Sequence, residues 1–115
     1  MIQNLGSYLY ELRTERKLPL RIVGVAIEVD GSLIGKMEKN QYIPSKQQVE
    51  RLADFFQVDK QEMLIALLTE KTLKYVKKEP YAYEALKRAE ARLREEQNAK
   101  RKDSTAKSRK ERSDS

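Results

Sequence analysis

The apolar residues of this chain recur at spacings of three and four, and no alternating apolar–polar run of useful length interrupts that period. Such spacing places apolar side chains on one face of an α-helix, whereas a half-buried strand needs a period of two. Leu5, Leu9 and Leu12 form the first stripe of this kind. No glycine or proline lies in a strand-like context. The sequence therefore predicts an all-α chain.

The spacing predicts five helices within residues 1–78, joined by short connections. About three residues separate the second helix from the third, which is the spacing of a helix-turn-helix. A loop over 40–44 separates the third helix from the fourth. The predicted helices are 4–17, 19–28 and 31–39, followed by one that opens at Ser45 and one that opens at Asp59.

Residues suited to helix starts support these boundaries. Pro19 fits a first helical position, where the N–H that it lacks would have no partner. Asp30 carries a carboxylate that can cap the third helix. The capping-box spacing appears twice, as Ser45 with Gln48 and as Asp59 with Glu62.

A sixth helix is predicted from Pro80 to about residue 98. Its apolar positions are spaced four, three and four, which makes a narrow seam of two heptads. This seam can pair with the same seam of a second chain, or dock on the fifth helix of its own chain, and we favour a homodimer. The predicted dimerisation residues are Ala82, Leu86, Ala89 and Leu93.

The net charge of +6 lies mostly in residues 100–115. The last residues, 99–115, contain no apolar side chain larger than alanine, and they cannot contribute to a core. We therefore predict three parts: a helix-turn-helix domain over 1–78, a C-terminal helix over 79–98 and a disordered basic tail over 99–115. The pI of about 9.5 is mainly a property of that tail.

Several function classes are excluded by composition. The chain has no Cys and no His, which excludes disulfides, Cys/His zinc sites, thiol nucleophiles and Ser-His-Asp triads. Glycine-rich phosphate-binding motifs are absent, and no apolar run approaches the ~18 residues of a membrane span. We expect no enzyme activity, no cofactor, no metal and no membrane partner. The expected location is the cytoplasm, at the bacterial nucleoid.

Short motifs stand in an ungapped register along the first five predicted helices. In this order they resemble the Xre/Cro-type helix-turn-helix domain of bacterial and phage repressors, over residues 5–68. The resemblance implies the five-helix, lambda-repressor-like fold. The motifs are Leu12-Arg13, the basic run 15–18, Val23-Gly24, Ile27 with Val29, the Ile-x-x-Met-Glu of 34–38, Pro44-Ser45, the helical pattern of 49–53, Val58 and Leu64.

The resemblance also implies two structural roles. Arg13 and Glu38 correspond to a largely buried ion pair that fixes the orientation of the third helix. Gly24 lies where the second helix must pass close to the third, so that a larger side chain would push them apart. The other interpretation of Gly24 is that it only weakens a surface helix.

By the same resemblance, the third helix enters the major groove of double-stranded DNA. The carried-over base-contact positions are Gly31, Ser32 and Lys36. This sequence departs from the pattern, because Gly31 and Gly35 have no side chains and Leu20 stands where a phosphate-contacting Gln is common. Phosphate contacts are predicted from Arg21, Lys39, Asn40, Gln41, Tyr42 and Lys46.

The sequence thus predicts a sequence-specific DNA-binding transcriptional regulator, a dimeric repressor or controller protein. Because direct base readout is thin, the domain either relies on DNA shape and phosphate contacts or has lost DNA binding. The alternatives are a protein-interaction module that keeps the fold, antitoxin-like or adaptor, and a nonspecific nucleic-acid binder that acts through the basic tail.

Overall fold

The computed structural model describes the backbone of residues 1–113 and the side chains of residues 1–101, and this part of the chain is helical without a strand. The all-α prediction is confirmed. The chain divides into two compact units, Met1–Tyr75 and Val76–Ser115. The helices are α1 (Leu5–Glu15), α2 (Leu20–Ala26), α3 (Gly31–Glu38), α4 (Lys46–Phe56), α5 (Lys60–Val76) and α6 (Ala82–Ser113).

The first unit is built around one apolar core to which each of α1 to α5 contributes a stripe. Met63 and Leu67 are the α5 residues deepest in it. Leu68 continues the apolar pattern of α5 but is 63% exposed. The buried residues are Leu5, Leu9, Leu12, Val23, Ile27, Ile34, Met37, Val49, Leu52, Ala53, Phe56, Met63, Ala66 and Leu67.

Two helix starts differ from the prediction. Pro19 is the N-cap of α2 rather than its first residue, and α6 begins at Ala82, two residues after Pro80.

The other helix starts follow the sequence signals with one correction. Ser45 and Gln48 form a complete capping box, with the Gln48 N–H donating to Ser45 Oγ at 3.1 Å and the Ser45 N–H donating to Gln48 Oε1 at 2.9 Å. At α5 the Glu62 N–H donates to Asp59 at 3.2 Å. Asp30 occupies the N-cap of α3, but the prediction that its carboxylate caps the helix is wrong. The Leu33 N–H, which that carboxylate would accept, donates instead to the Asp30 carbonyl at 3.0 Å.

Helices α2 and α3 approach closely at Gly24 and Gly31, which have no side chains. A Cβ on Gly24 would lie 2.5 Å from the Val29 carbonyl oxygen and 2.9 Å from the Gly31 nitrogen. The Val29 N–H donates to the Gly24 carbonyl at 2.9 Å, which fixes the turn on the same spot. The close-approach interpretation of Gly24 is therefore the correct one.

Helix α6 runs past the end predicted for it near residue 98, as far as Ser113. Residues 99–101, which the sequence assigned to the disordered tail, are helical. The reason is that these three residues are Ala, Lys and Arg, which are strong helix formers. The remainder of the tail prediction, from residue 102, lies outside the residues described in full.

Candidate nucleic-acid interface

Helix α3 has one face in the core and one face in solvent. Ile34 and Met37 are each 1% exposed. Ser32, Lys36 and Lys39 are exposed, at spacings of four and three that align them on one side. We call these three residues the outer stripe of α3. The first unit thus presents a polar and basic helix face.

An ion pair between Arg13 and Glu38 ties α3 to α1. Arg13 Nε donates to Glu38 Oε2 at 2.7 Å, and Nη2 donates to Oε1 at 3.0 Å, while Nη1 donates to the Leu18 carbonyl at 3.0 Å. Only 15% of the Arg13 side chain and 6% of the Glu38 side chain are exposed. Hydrogen bonding to the Glu38 carboxylate raises the pKa of Arg13. This is the pair that the resemblance implies, and its bidentate geometry fixes the rotation of α3.

Gly6 packs α1 against the end of α3, a role that the sequence analysis did not assign. A Cβ on Gly6 would lie 2.7 Å from the carbonyl oxygens of both Met37 and Glu38. Gly6 is buried between Leu5 and Leu9 of the core stripe. A glycine inside the apolar stripe of a predicted helix was the available signal for this close approach.

The start of α2 lies beside the start of α3. A Cβ on Gly31 would lie 3.0 Å from the Arg21 nitrogen and 3.1 Å from the Arg21 Cα. Gly31, a predicted base-contact position, is therefore half-buried against α2, and only its backbone is available to a ligand. Arg21 is exposed on α2, next to this point. The structure thus brings Arg21 and the first turn of α3 together.

Leu20 also lies against α3. Its Cδ1 is 3.6 Å from the place where a Gly35 Cβ would stand. Gly35 is consequently half-buried. An apolar side chain thus lies where a phosphate-contacting Gln is common in the resembled family.

The loop after α3 holds three of the predicted phosphate contacts, and two of them have contacts within the protein. Asn40 has a left-handed backbone, with φ of 59°, and its Nδ2 donates to Asn4 Oδ1 at 3.1 Å. The same Asn4 oxygen caps α1 by accepting the Ser7 N–H at 3.0 Å. The Tyr42 hydroxyl lies 3.5 Å from Gln48 Oε1.

The remaining predicted phosphate contacts are exposed at helix ends or in the loop. Lys39 lies at the C-cap of α3, Gln41 follows in the loop and Lys46 is the first residue of α4. Lys39, Lys46 and Arg21 each add a positive charge to the exposed surface. Formation of a phosphate contact at each of these residues stays a prediction.

In the second unit, the predicted dimerisation residues follow one side of α6. Ala82 and Leu86 are half-buried, Ala89 is exposed and Leu93 is 57% exposed. Neighbouring faces carry ion pairs, with Glu84 to Arg88 at 3.5 Å and Glu90 to Arg94 at 2.7 Å. The structure shows where these residues lie and leaves their pairing as a prediction.

The residues with described side chains contain no cluster of acidic side chains that could hold a metal ion. None of the helices in that part of the chain is both long and apolar enough to cross a membrane.

The short α2–turn–α3 unit, with α3 anchored on one side and open on the other, defines a helix-turn-helix protein. The family model described as a helix-turn-helix domain matches residues 4–64. This match covers more than half of the chain, and the protein belongs to that family. The lambda-repressor-like fold expected from the sequence is confirmed.

A solved structure supports the same fold. The chain is similar to the P22 c2 repressor protein, in a crystal structure of its complex with the synthetic operator 9T in the presence of Tl+. The TM-score is 0.52 at 18% identity, over 56% of this chain and 98% of the repressor chain. No curated protein sequence matches the chain.

Proposed function

We propose that this protein is a sequence-specific regulator of transcription that binds double-stranded DNA in the cytoplasm, as a dimeric repressor or controller. The observation that carries the proposal is the exposed outer stripe of α3, on a helix whose inner face is fixed by the Arg13–Glu38 pair. A rigid helix with a polar outer face fits the major groove of B-DNA. The crystal structure of the P22 c2 repressor, which shares the fold, shows that repressor in complex with a synthetic operator.

Base readout is assigned to Ser32 and Lys36. A lysine ammonium donates to O6 and N7 of guanine, and a serine hydroxyl reaches any base. Gly31 and Gly35 add no side chain to this readout, so part of the specificity comes from DNA shape. Arg21, Lys39 and Lys46 supply phosphate contacts, which position the protein and make its affinity depend on salt.

The proposal is tested by selecting duplexes from a random pool and titrating the winners by fluorescence anisotropy. Lys36→Ala is expected to weaken binding and to relax preference at one base pair. Arg21→Ala is expected to weaken binding to all duplexes and to make the salt dependence shallower. Lys60→Ala is the matched control, because Lys60 lies against Asp54 near the end of α4 opposite to Lys46. Equal affinity for every duplex, or no binding at low salt, would contradict the proposal.

A protein-interaction module is the second candidate. It is favoured by Asn40, whose amide binds Asn4, and by Gly31, which packs on α2, because both were predicted DNA contacts. This candidate requires that Lys36→Ala and Arg21→Ala leave function unchanged while Leu86→Asp abolishes it. Regulation of a reporter gene, measured with the three variants, separates the two functions.

A further inference from the structure

The apolar side of α6 alternates small and large side chains, so that a second copy of the same helix can offer a complementary surface. Ala82, Leu86, Ala89 and Leu93 alternate a small and a large residue along one line, which we call the α6 seam. Leu93 is 57% exposed, and Ala89 is also exposed. A seam of this kind is completed by a partner that offers a large residue opposite each small one.

We propose that a second copy of this chain covers the α6 seam in the antiparallel direction. This inference deepens the dimer part of the proposed function and depends on it. In the register proposed, Leu93 lies opposite Ala82 of the second copy, and Leu86 lies opposite Ala89 of the second copy. By symmetry, all four layers along the interface then consist of one leucine and one alanine.

Side-chain volume favours this direction over the parallel one. A parallel pair would align identical residues, so that Leu–Leu layers alternate with Ala–Ala layers. Leucine layers hold two helices further apart than alanine layers do, and the distance between helix axes depends on the residues in contact. Two straight helices cannot satisfy both distances, because successive layers lie only about 5 Å apart along the axis. In the antiparallel register every layer holds one leucine and one alanine, and a single distance between the helix axes suits all four layers.

Charge favours the same direction. The period of the seam continues to Glu96 and Lys100, both exposed on α6. A parallel pair would place Glu96 against Glu96 and Lys100 against Lys100 of the second copy, which is repulsive. The antiparallel register ends at Ala82 and Leu93, where α6 of the second copy begins, so that neither charged residue opposes its own copy.

The residues that flank the seam are compatible with this register. Glu90 would face Tyr83 of the second copy, and Arg92 would face Ala85 of the second copy. No residue beside the four layers then opposes a residue of the same charge. Tyr83 is 74% exposed, which leaves its ring available to cover such a contact.

Disulfide trapping tests the direction, because the chain contains no cysteine of its own. Ala82→Cys and Leu93→Cys are made in separate full-length chains, mixed without DNA and oxidised in a glutathione buffer. The antiparallel register predicts a disulfide between the two different chains. It predicts no Ala82→Cys homodimer, because those positions would lie about 16 Å apart along the axis, beyond disulfide reach. A homodimer linked through position 82 would overturn the proposal.

Sedimentation equilibrium without DNA tests whether the seam is the interface. Leu86→Asp is expected to weaken self-association by more than about ten-fold, which corresponds to about 1.4 kcal/mol. Ala91→Asp is the control on the opposite side of α6. A monomeric wild-type chain would overturn the proposal. So would a dimer weakened by Leu68→Asp, on the exposed side of α5, and not by Leu86→Asp. Neither experiment contains DNA, so these outcomes are separate from a failure of DNA binding.

Discussion

Helices α3 and α6 are stabilised in opposite ways. Helix α3 has 8 residues, two glycines among them, and is far shorter than the roughly 12–15 residues at which isolated helices become marginally stable. Helix α6 has 32 residues, without a glycine or a proline. The comparison shows that α3 depends on tertiary contacts, whereas α6 depends on helix propensity and on contacts between successive turns.

The contacts that hold α3 are few and specific. Ile34 and Met37 insert into the core, Glu38 is paired with Arg13, and glycines let α1 and α2 approach it. Helix α6 instead carries exposed i,i+4 ion pairs, each of which contributes only about 0.3–0.5 kcal/mol. Substitutions of the same kind should therefore have very different effects in the two helices.

The largest difference is expected between two glutamates. Glu38→Ala leaves the guanidinium of Arg13 without its partner in a largely buried site, which should lower the free energy of unfolding by roughly 3–5 kcal/mol. Glu84→Ala, the matched change in an exposed pair of α6, should cost less than about 0.5 kcal/mol. Urea titration followed by circular dichroism measures both. Equal losses would show that the Arg13–Glu38 pair does not hold α3.

The next effect concerns Gly24. Gly24→Ala places a methyl group 2.5 Å from the Val29 carbonyl oxygen, and the backbone of the turn must move to relieve the clash. We expect a loss of about 3 kcal/mol in stability. Thermal unfolding measures it. An unchanged melting temperature would mean that α2 and α3 are not as close as the structure has them.

Gly35→Ala should act in the opposite direction, by a smaller amount. The new Cβ would stand 3.6 Å from Leu20 Cδ1, an ordinary van der Waals contact, and alanine replaces glycine in the middle of a helix. The expected gain is about 1 kcal/mol. Gly24→Ala is the matched control in the same unfolding experiment. A destabilised Gly35→Ala variant would contradict the contact described between Leu20 and α3.

The smallest effect is expected at Glu90. Its pair with Arg94 is 2.7 Å long, but 61% of the Glu90 side chain is exposed. Glu90→Gln should lower the stability of α6 by about 0.5 kcal/mol or less, and the loss should vanish at high salt. Amide hydrogen exchange in α6 at two ionic strengths provides the measurement. A loss that persists in high salt would assign the effect to something other than the ion pair.

Much of the first unit could be predicted from sequence because its signals are local. Apolar period and caps located α1 to α5, and the Ser45–Gln48 box appears as predicted. The Arg13–Glu38 pair came from the resemblance, since 25 residues separate its partners. The features that the sequence did not predict are contacts between residues far apart in the chain or on different helices. The packing of Gly31 on Arg21 and the bond from Asn40 to Asn4 depend on how helices meet.

The end of α6 was missed for another reason. Residues 99–115 were predicted to be disordered because they have no apolar side chain that could pack into a core. A helix can also form without a core, from the intrinsic helix propensity of its residues. In α6 the same lysines, arginines and glutamates are strong helix formers, and the helix includes residues 99–101. The amino-acid composition therefore could not distinguish a solvent-exposed helix from a disordered tail.

We propose that sequence recognition belongs to the outer stripe of α3. The most direct test is fluorescence anisotropy with a duplex selected from a random pool and with a scrambled duplex of the same composition. Lys36→Ala should reduce the ratio of the two affinities by about ten-fold or more, whereas Arg92→Ala on α6 should leave that ratio unchanged. If Lys36→Ala keeps the full ratio, the assignment of recognition to α3 is contradicted.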